Sequence, residues 1–409
     1  MKTQYYPTLL LALVLLGACG GSDSTSSLPE GDPAPEPTPP SSRWTLPDAL
    51  LSYADQPLPR HFEVNDFAEG FQFQNSAIDN DNTPDTNPIT DAGATLGRVL
   101  FYDPWLSENR SISCANCHQQ AVAFSDPRTL SLGVDGGETR RHAMGLGNAR
   151  FYQSGKFFWD ERAETLEQQV LMPIEDPVEM GMTLDDLVER LQSDPFYPPL
   201  FADAFGDEAI TAERIGRALA QFVRSLVSFN ARYDLGRAQV TSPLDPFPNF
   251  SDQENQGKAL FMRAASCGAC HISEAFVGPT PLREAPNIIS NATNNGLDAV
   301  SSDDLGLAET TGNPLHEGRF KAPSLRNIEV TAPYMHDGRF ATLESVVIFY
   351  NEGIQPHANL AAVLQEASGA PRRFGFSDQE VQALVAFLRT LTDPQFLTDP
   401  RFADPFIAP

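Results

Sequence analysis

The chain has 409 residues, enough for two or three domains, and 41% of them are hydrophobic, as in a globular protein with a core. Asp and Glu number 54 against 28 Lys and Arg, a formal charge of −26 at pH 7. That balance argues against nucleic acid as a partner and would draw basic partners towards the surface.

The first predicted element is an export signal. Lys2 precedes an apolar run from Leu9 to Leu16, too short to span a bilayer. The run ends in Leu16-Gly17-Ala18-Cys19, which is similar to a bacterial lipobox. A signal peptide over 1–18 and a lipidated Cys19 are therefore expected. Residues 19–42 follow as a disordered tether, since GGSDSTSSLPEGDPAPEPTPPSS is acidic and rich in Gly, Ser and Pro. Residues 43–90 read as a loop-rich extension packed on the first domain, with turn signals such as Asn82-Thr83-Pro84.

From Asp91 the sequence repeats itself. ATLGRVLFYD and ENQGKALFMR share Gly-x-x-Leu-Phe, at Gly97 to Phe101 and Gly257 to Phe261. Each is followed by a Cys-x-x-Cys-His unit, SCANCH ending at His118 and SCGACH ending at His271. Each unit is followed by a helix with Ala-Leu-x-x-Phe-x-Arg-[Ser/Thr]-Leu, ALAQFVRSLVS and ALVAFLRTLTD. Ile215, Leu219, Phe222, Val223 and Leu226 fall on one face of the first, and Val381, Leu384, Val385 and Leu388 on one face of the second. FSDQE occurs twice, each time as a Ser-x-x-Glu capping box that opens a helix.

Four of the five cysteines, Cys114, Cys117, Cys267 and Cys270, belong to the two Cys-x-x-Cys-His units. That is the signature of c-type haem attachment, in which the cysteines form thioethers and the histidine takes the iron. A thioredoxin-like Cys-x-x-Cys does not require the histidine, and both units have one. The order helix, haem site, loops, closing helix therefore predicts a mostly α chain of two tandem class I cytochrome c folds with long loops. The first of these folds is placed at 91–235 and the second at 248–395.

LGRVLFYDPWLS, FFWDERAETLEQQVLMPIEDPVEM and FKAPSLRNIEVTAPYMHDGRFATLE carry a resemblance to the bacterial dihaem cytochrome c peroxidases and MauG-type enzymes. It covers about 300 residues. It implies that the first haem meets peroxide and that the second stores or relays an electron. It makes His118 and His271 the proximal ligands. Val134 occupies the position of a distal histidine, so the first iron is expected to be open, with His142 the nearby histidine able to replace that ligand. Glu179 matches the family's acid–base glutamate and Gln169, ten residues earlier, its polar partner. Trp159 matches the tryptophan between the haems. Nineteen residues after Thr331 stands Tyr350, matching the MauG-type sixth ligand of the second haem, with Met335 its competitor. Backbone oxygens of Thr331 and Pro333 match two calcium ligands, and His142 stands where the family has a calcium-binding asparagine.

Three functional readings remain open on the sequence. One is a peroxidase that takes electrons from a small cytochrome c or a cupredoxin to reduce hydrogen peroxide. Another is a MauG-like enzyme that oxidises a residue such as tryptophan on a partner protein. The third is a dihaem electron carrier. All three place the chain in the bacterial periplasm or at the outer membrane, held only by its lipid.

Overall fold

The structure is a computed structural model that describes residues 43–64, 76–152, 154–263, 267–271, 273–277 and 292–406. The expected signal peptide, Cys19 and tether lie outside the described residues, as do residues 65–75 of the extension. Among the described residues the regular structure is helical, strand pairing is limited to isolated bridges, and no helix is long and apolar enough to cross a membrane.

The six longest helices are α1 (Asp91–Tyr102), α2 (Leu184–Ser193), α3 (Tyr197–Phe205), α4 (Ala212–Ser225), α5 (Asp252–Phe261) and α6 (Asp378–Arg389). Their starts follow capping chemistry. The side chains of Thr90, Thr183 and Thr211 accept from the first-turn amides of α1, α2 and α4. Ser251 and Ser377 form the two predicted capping boxes with Glu254 and Glu380.

The repeat in the sequence becomes a repeat in packing. α1 crosses α4, and α5 crosses α6. At the first crossing a Cβ on Gly97 would lie 2.0 Å from the carbonyl oxygen of Ala218 and 2.8 Å from Cβ of Phe222. At the second, a Cβ on Gly257 would lie 1.9 Å from the carbonyl of Ala383 and 2.9 Å from Cβ of Phe387. Glycine is needed at both because backbone meets backbone there. The predicted apolar faces of α4 and α6 are buried, and each crossing sits in its own hydrophobic core.

The described part of the extension contacts the first half and also meets the C-terminal tail. Arg43 bonds to Asp103 at 3.0 Å and Asp194 at 2.6 Å, while Trp44 packs edge-on against Tyr197 and Phe406. Residues beyond 395, which the sequence left unassigned, return to the first half. Phe396 packs against Phe124, and Arg98 Nε donates to the Ala403 carbonyl at 2.7 Å.

The halves are tied by buried polar contacts. Asp234 accepts from Arg326 at 2.6 Å and bonds to His61 at 2.9 Å, linking the extension, the first half and the second. Arg141 joins Asp160 to Asp304, and the amide of His142 donates to the His336 carbonyl at 2.8 Å.

Candidate functional site

Both Cys-x-x-Cys-His units open as a single tight turn, Cys114–Cys117 and Cys267–Ala269; Cys117 and His118 face one cavity, and Cys267, Cys270 and His271 another. His118 Nδ1 lies 2.8 Å from the Phe124 carbonyl, and His271 Nδ1 lies 3.3 Å from that of Phe276. Each Nδ1 therefore donates, and each Nε2 keeps its lone pair for a metal. Burial lowers the pKa of both rings, that of His271 to about 4, so both are neutral as a ligand must be. Burial pushes the Cys114 thiol up to about 12 and the Cys270 thiol up to about 11. A reactive redox cysteine is shifted the other way, which disfavours the thioredoxin-like alternative.

Beside each unit is a cavity. The one at His118 has a volume of about 610 Å³ and the one at His271 about 200 Å³. A thiol pair, a neutral imidazole with a free Nε2 and an adjoining cavity fit covalently held haem c at both places.

The first cavity gathers the predicted distal residues. Glu179 and Gln169 both line it, whereas the neighbouring Gln168 is exposed and accepts from the Glu164 amide at 3.2 Å. Burial, reinforced by Asp176 and opposed by Arg162, raises the Glu179 carboxyl from 4.5 to about 7. A group so placed can both take and give a proton near neutral pH. Its segment is pinned by the loop after the first Cys-x-x-Cys-His unit. The Val134 amide donates to the Glu179 carbonyl at 2.9 Å, and a Cβ on Gly133 would lie 1.6 Å from the Val178 carbonyl. Val134 is thus a backbone anchor for Glu179; the cavity lining includes Val178 and Glu179 but not Val134.

His142, the candidate replacement ligand, is held by protein contacts. Its Nδ1 lies 3.1 and 3.2 Å from the carbonyls of Arg128 and Thr129, and its Nε2 lies 3.3 Å from the Ser125 hydroxyl. Both nitrogens are engaged by protein, and the ring is buried. Its own carbonyl accepts from the Trp159 indole at 2.8 Å. Trp159 lines both cavities and so forms the wall between them.

In the second cavity Tyr350 stands in a π-helical turn, Phe349–Gly353, that continues the short helix Leu343–Ile348. Such turns widen the helix and re-aim a side chain. Burial raises the Tyr350 hydroxyl to about 12. Asn295 Nδ2 lies 3.2 Å from that hydroxyl and 3.7 Å from the sulfur of Met335, whose backbone is left-handed at φ 76°. Both candidate sixth ligands line this cavity, and one amide touches both. Nothing in the sequence singled out Asn295, which lies in a loop without periodicity.

Thr331 and Pro333 line a small gap of about 60 Å³ beside Trp159 and His142. Its described lining offers no carboxylate, and the buried guanidinium of Arg326 shares it. Calcium prefers several oxygen donors with negative charge among them, so this donor set does not fit it.

Comparison with known proteins gives the family. The family model described as di-haem cytochrome c peroxidase matches residues 91–239. The methylamine utilization protein MauG of Methylorubrum extorquens is 35% identical over 332 residues, covering 78% of this chain and 83% of that protein. The cytochrome c551 peroxidase of Nitrosomonas europaea is 32% identical over 316 residues, covering 77% and 83%. Among solved structures, a MauG-like protein associated with microbial copper homeostasis superposes with a TM-score of 0.69 at 34% identity, over 80% of this chain and 96% of that one. The diheme peroxidase BthA of Burkholderia thailandensis gives 0.59 at 25% identity, over 79% and 92%. The chain belongs to the dihaem cytochrome c peroxidase and MauG superfamily, and it is an oxidoreductase of the cytochrome-c peroxidase type.

Proposed function

We propose that this chain is an exported dihaem enzyme of two tandem cytochrome c folds that reduces hydrogen peroxide in the cavity at His118. The observation that carries this reading is that Glu179 and Gln169 line the same cavity as His118, with Trp159 in the wall it shares with the cavity at His271. Haem c, held through Cys114, Cys117 and His118 and through Cys267, Cys270 and His271, would supply the iron and the electrons for cleaving the O–O bond.

The chain's own residues supply the rest. Glu179, with a carboxyl near 7, takes a proton from one peroxide oxygen and returns it to the other, the departing hydroxide leaving as water. Gln169 offers an amide to the oxygen on which charge develops. Val134 and Gly133 hold the Glu179 backbone in place. Trp159, fixed by its bond to His142, is placed to relay an oxidising equivalent between the cavities. The donor fits a small cytochrome c or a cupredoxin. No calcium enters this account.

A second reading has its own support. Tyr350 lies in the cavity at His271, and an anionic oxygen ligand favours high oxidation states of iron. That points to MauG-like chemistry, with a side chain of a partner protein as the reductant. An electron carrier is disfavoured by the acid–base residue in the first cavity. Export through the leader and anchoring through Cys19 would place the enzyme in the periplasm or at the outer membrane.

Electron paramagnetic resonance of the resting diferric protein, followed by mixing with peroxide, tests the proposal. One high-spin and one low-spin centre, with an immediate reaction, is the expected result. Two low-spin centres that ignore peroxide until one is reduced would overturn the open first site.

A further inference from the structure

Between the two cavities lies a buried cluster that the account above leaves unused. Tyr152 lines the first cavity and is fully buried. Its hydroxyl donates to Oε1 of Glu161, which is 1% exposed. The other oxygen of Glu161 has no hydrogen-bond partner among the described residues. Glu161 also holds a left-handed backbone at φ 53°, a conformation that L side chains other than Asn and Asp rarely adopt. A glutamate kept there, buried and half-satisfied, is kept for what its carboxylate does.

The third member is Lys321. It lines both cavities, and its amide donates to the Trp159 carbonyl at 2.8 Å. Its ammonium lies 4.1 Å from the centre of the Tyr152 ring, with the Met144 sulfur 3.6 Å away. An ammonium over a phenol ring opposes a positive charge on that ring. Oxidation of Tyr152 is therefore feasible only if its proton leaves with the electron, and the hydroxyl already points at a base.

We propose that Tyr152 is a second oxidisable side chain beside Trp159, with Glu161 as its proton acceptor. The step rests on the proposed reaction of peroxide in the first cavity, and peroxide is the oxidant. Peroxide takes two electrons and two protons to give two waters. Tyr152 returns one electron to the oxidised enzyme through Trp159, and its O–H bond breaks as the proton passes to Oε1 of Glu161. The products are a neutral tyrosyl radical and a neutral carboxylic acid. The phenol ring itself stays neutral throughout, so no positive charge forms beneath the Lys321 ammonium. The external donor supplies two electrons in all: one reduces the radical, which recovers its proton from Glu161, and one reduces the second oxidising equivalent left on the enzyme.

The experiment uses the holoenzyme, mixed with peroxide, freeze-quenched and read by electron paramagnetic resonance, with haem absorption followed in parallel. An organic radical is expected that narrows when the protein carries ring-deuterated tyrosine. It should be lost in Tyr152→Phe and in Glu161→Gln, while the haem absorption of both variants still responds to peroxide. Should Tyr152→Phe not fold, the label in the wild type and the Glu161→Gln spectrum decide. A normal haem response with no tyrosyl signal, or with the same signal in the variants, overturns the inference alone. No haem response in the wild type overturns the peroxidatic reading and this inference with it.

Discussion

The indole N–H of Trp159 donates to the carbonyl oxygen of His142 across 2.8 Å, in the wall between the two cavities. The bond fixes the ring edge-on to His336, with centroids 6.4 Å apart. Trp159→Phe keeps an aromatic ring, though a smaller one, and loses both the bond and the easily oxidised indole. It is expected to retain both haem spectra and still react with peroxide at the first site. Loss of the shared oxidised state, read by rapid-scan absorption of both haems, checks this. Unchanged oxidation of both haems would remove Trp159 from the relay.

Glu179 gives a test in pH. Its carboxyl is raised to about 7 by burial, so the basic form is gained as the pH rises through that value. The rate of reaction with peroxide is expected to climb across this window and level off above it. Glu179→Gln should lose that dependence and fall by about 10²–10⁴. The stability effect runs the other way. With a folded value above the ordinary 4.5, Glu179 favours the folded state below about 4.5, and this contribution is lost as the pH rises through about 7. Stopped-flow rates and thermal melts across pH read the two effects separately.

Asn295 touches both candidate sixth ligands of the second haem, and so it tunes whichever binds. A hydrogen bond to a phenolate oxygen withdraws electron density from it. Asn295→Leu is therefore expected to make Tyr350 the stronger donor and to lower the reduction potential of that haem. Tyr350→Met should raise it, and should bring in the near-infrared band of methionine ligation. Potentiometric titration with optical detection reads both directions. If Met335 is the natural ligand, that band is present in the wild type and survives Tyr350→Phe.

Glycine at the two helix crossings is a stability prediction. Gly97→Ala would drive a methyl to 2.0 Å from the Ala218 carbonyl, and Gly257→Ala to 1.9 Å from that of Ala383. The helices must separate, at a cost of about 1–3 kcal/mol or more. A lower Tm in both variants is expected, and a wild-type melt in either would mean the crossing is looser than described.

The buried faces of α4 and α6 were legible in the sequence because a helix writes its packing face at a fixed period. Leu219, Phe222 and Val223 stand at those intervals on α4, and Val381, Leu384, Val385 and Leu388 on α6; which helix each face meets was not legible. Trp159, Gln169 and Glu179 of the first cavity were legible only through the family resemblance, whose ten-residue spacings they match within one segment. The rest depends on contacts between segments remote in sequence. Phe396 and Phe402 pack on the first half from short turns with no periodicity. Asn295 approaches Tyr350 from a loop, and Lys321 approaches Tyr152 from the other half of the chain. His142 was open to either reading in the sequence, since only the positions of the Arg128 and Thr129 carbonyls at Nδ1 and of the Ser125 hydroxyl at Nε2 show that its ring nitrogens are engaged.

The paired helix crossings also set an order in time. Gly97 meets Ala218, and Gly257 meets Ala383, and in each case the Cys-x-x-Cys-His unit lies between the two partners along the chain. A chain that crosses a membrane from its N-terminus presents each pair of thiols before the helix that closes over them has emerged. Contacts so distant along the chain form late, after loop closure has been met. On the proposed export and haem attachment, each pair of cysteines is thus open to covalent modification while its half is unclosed, and docking of the second helix would then seal the attached group inside.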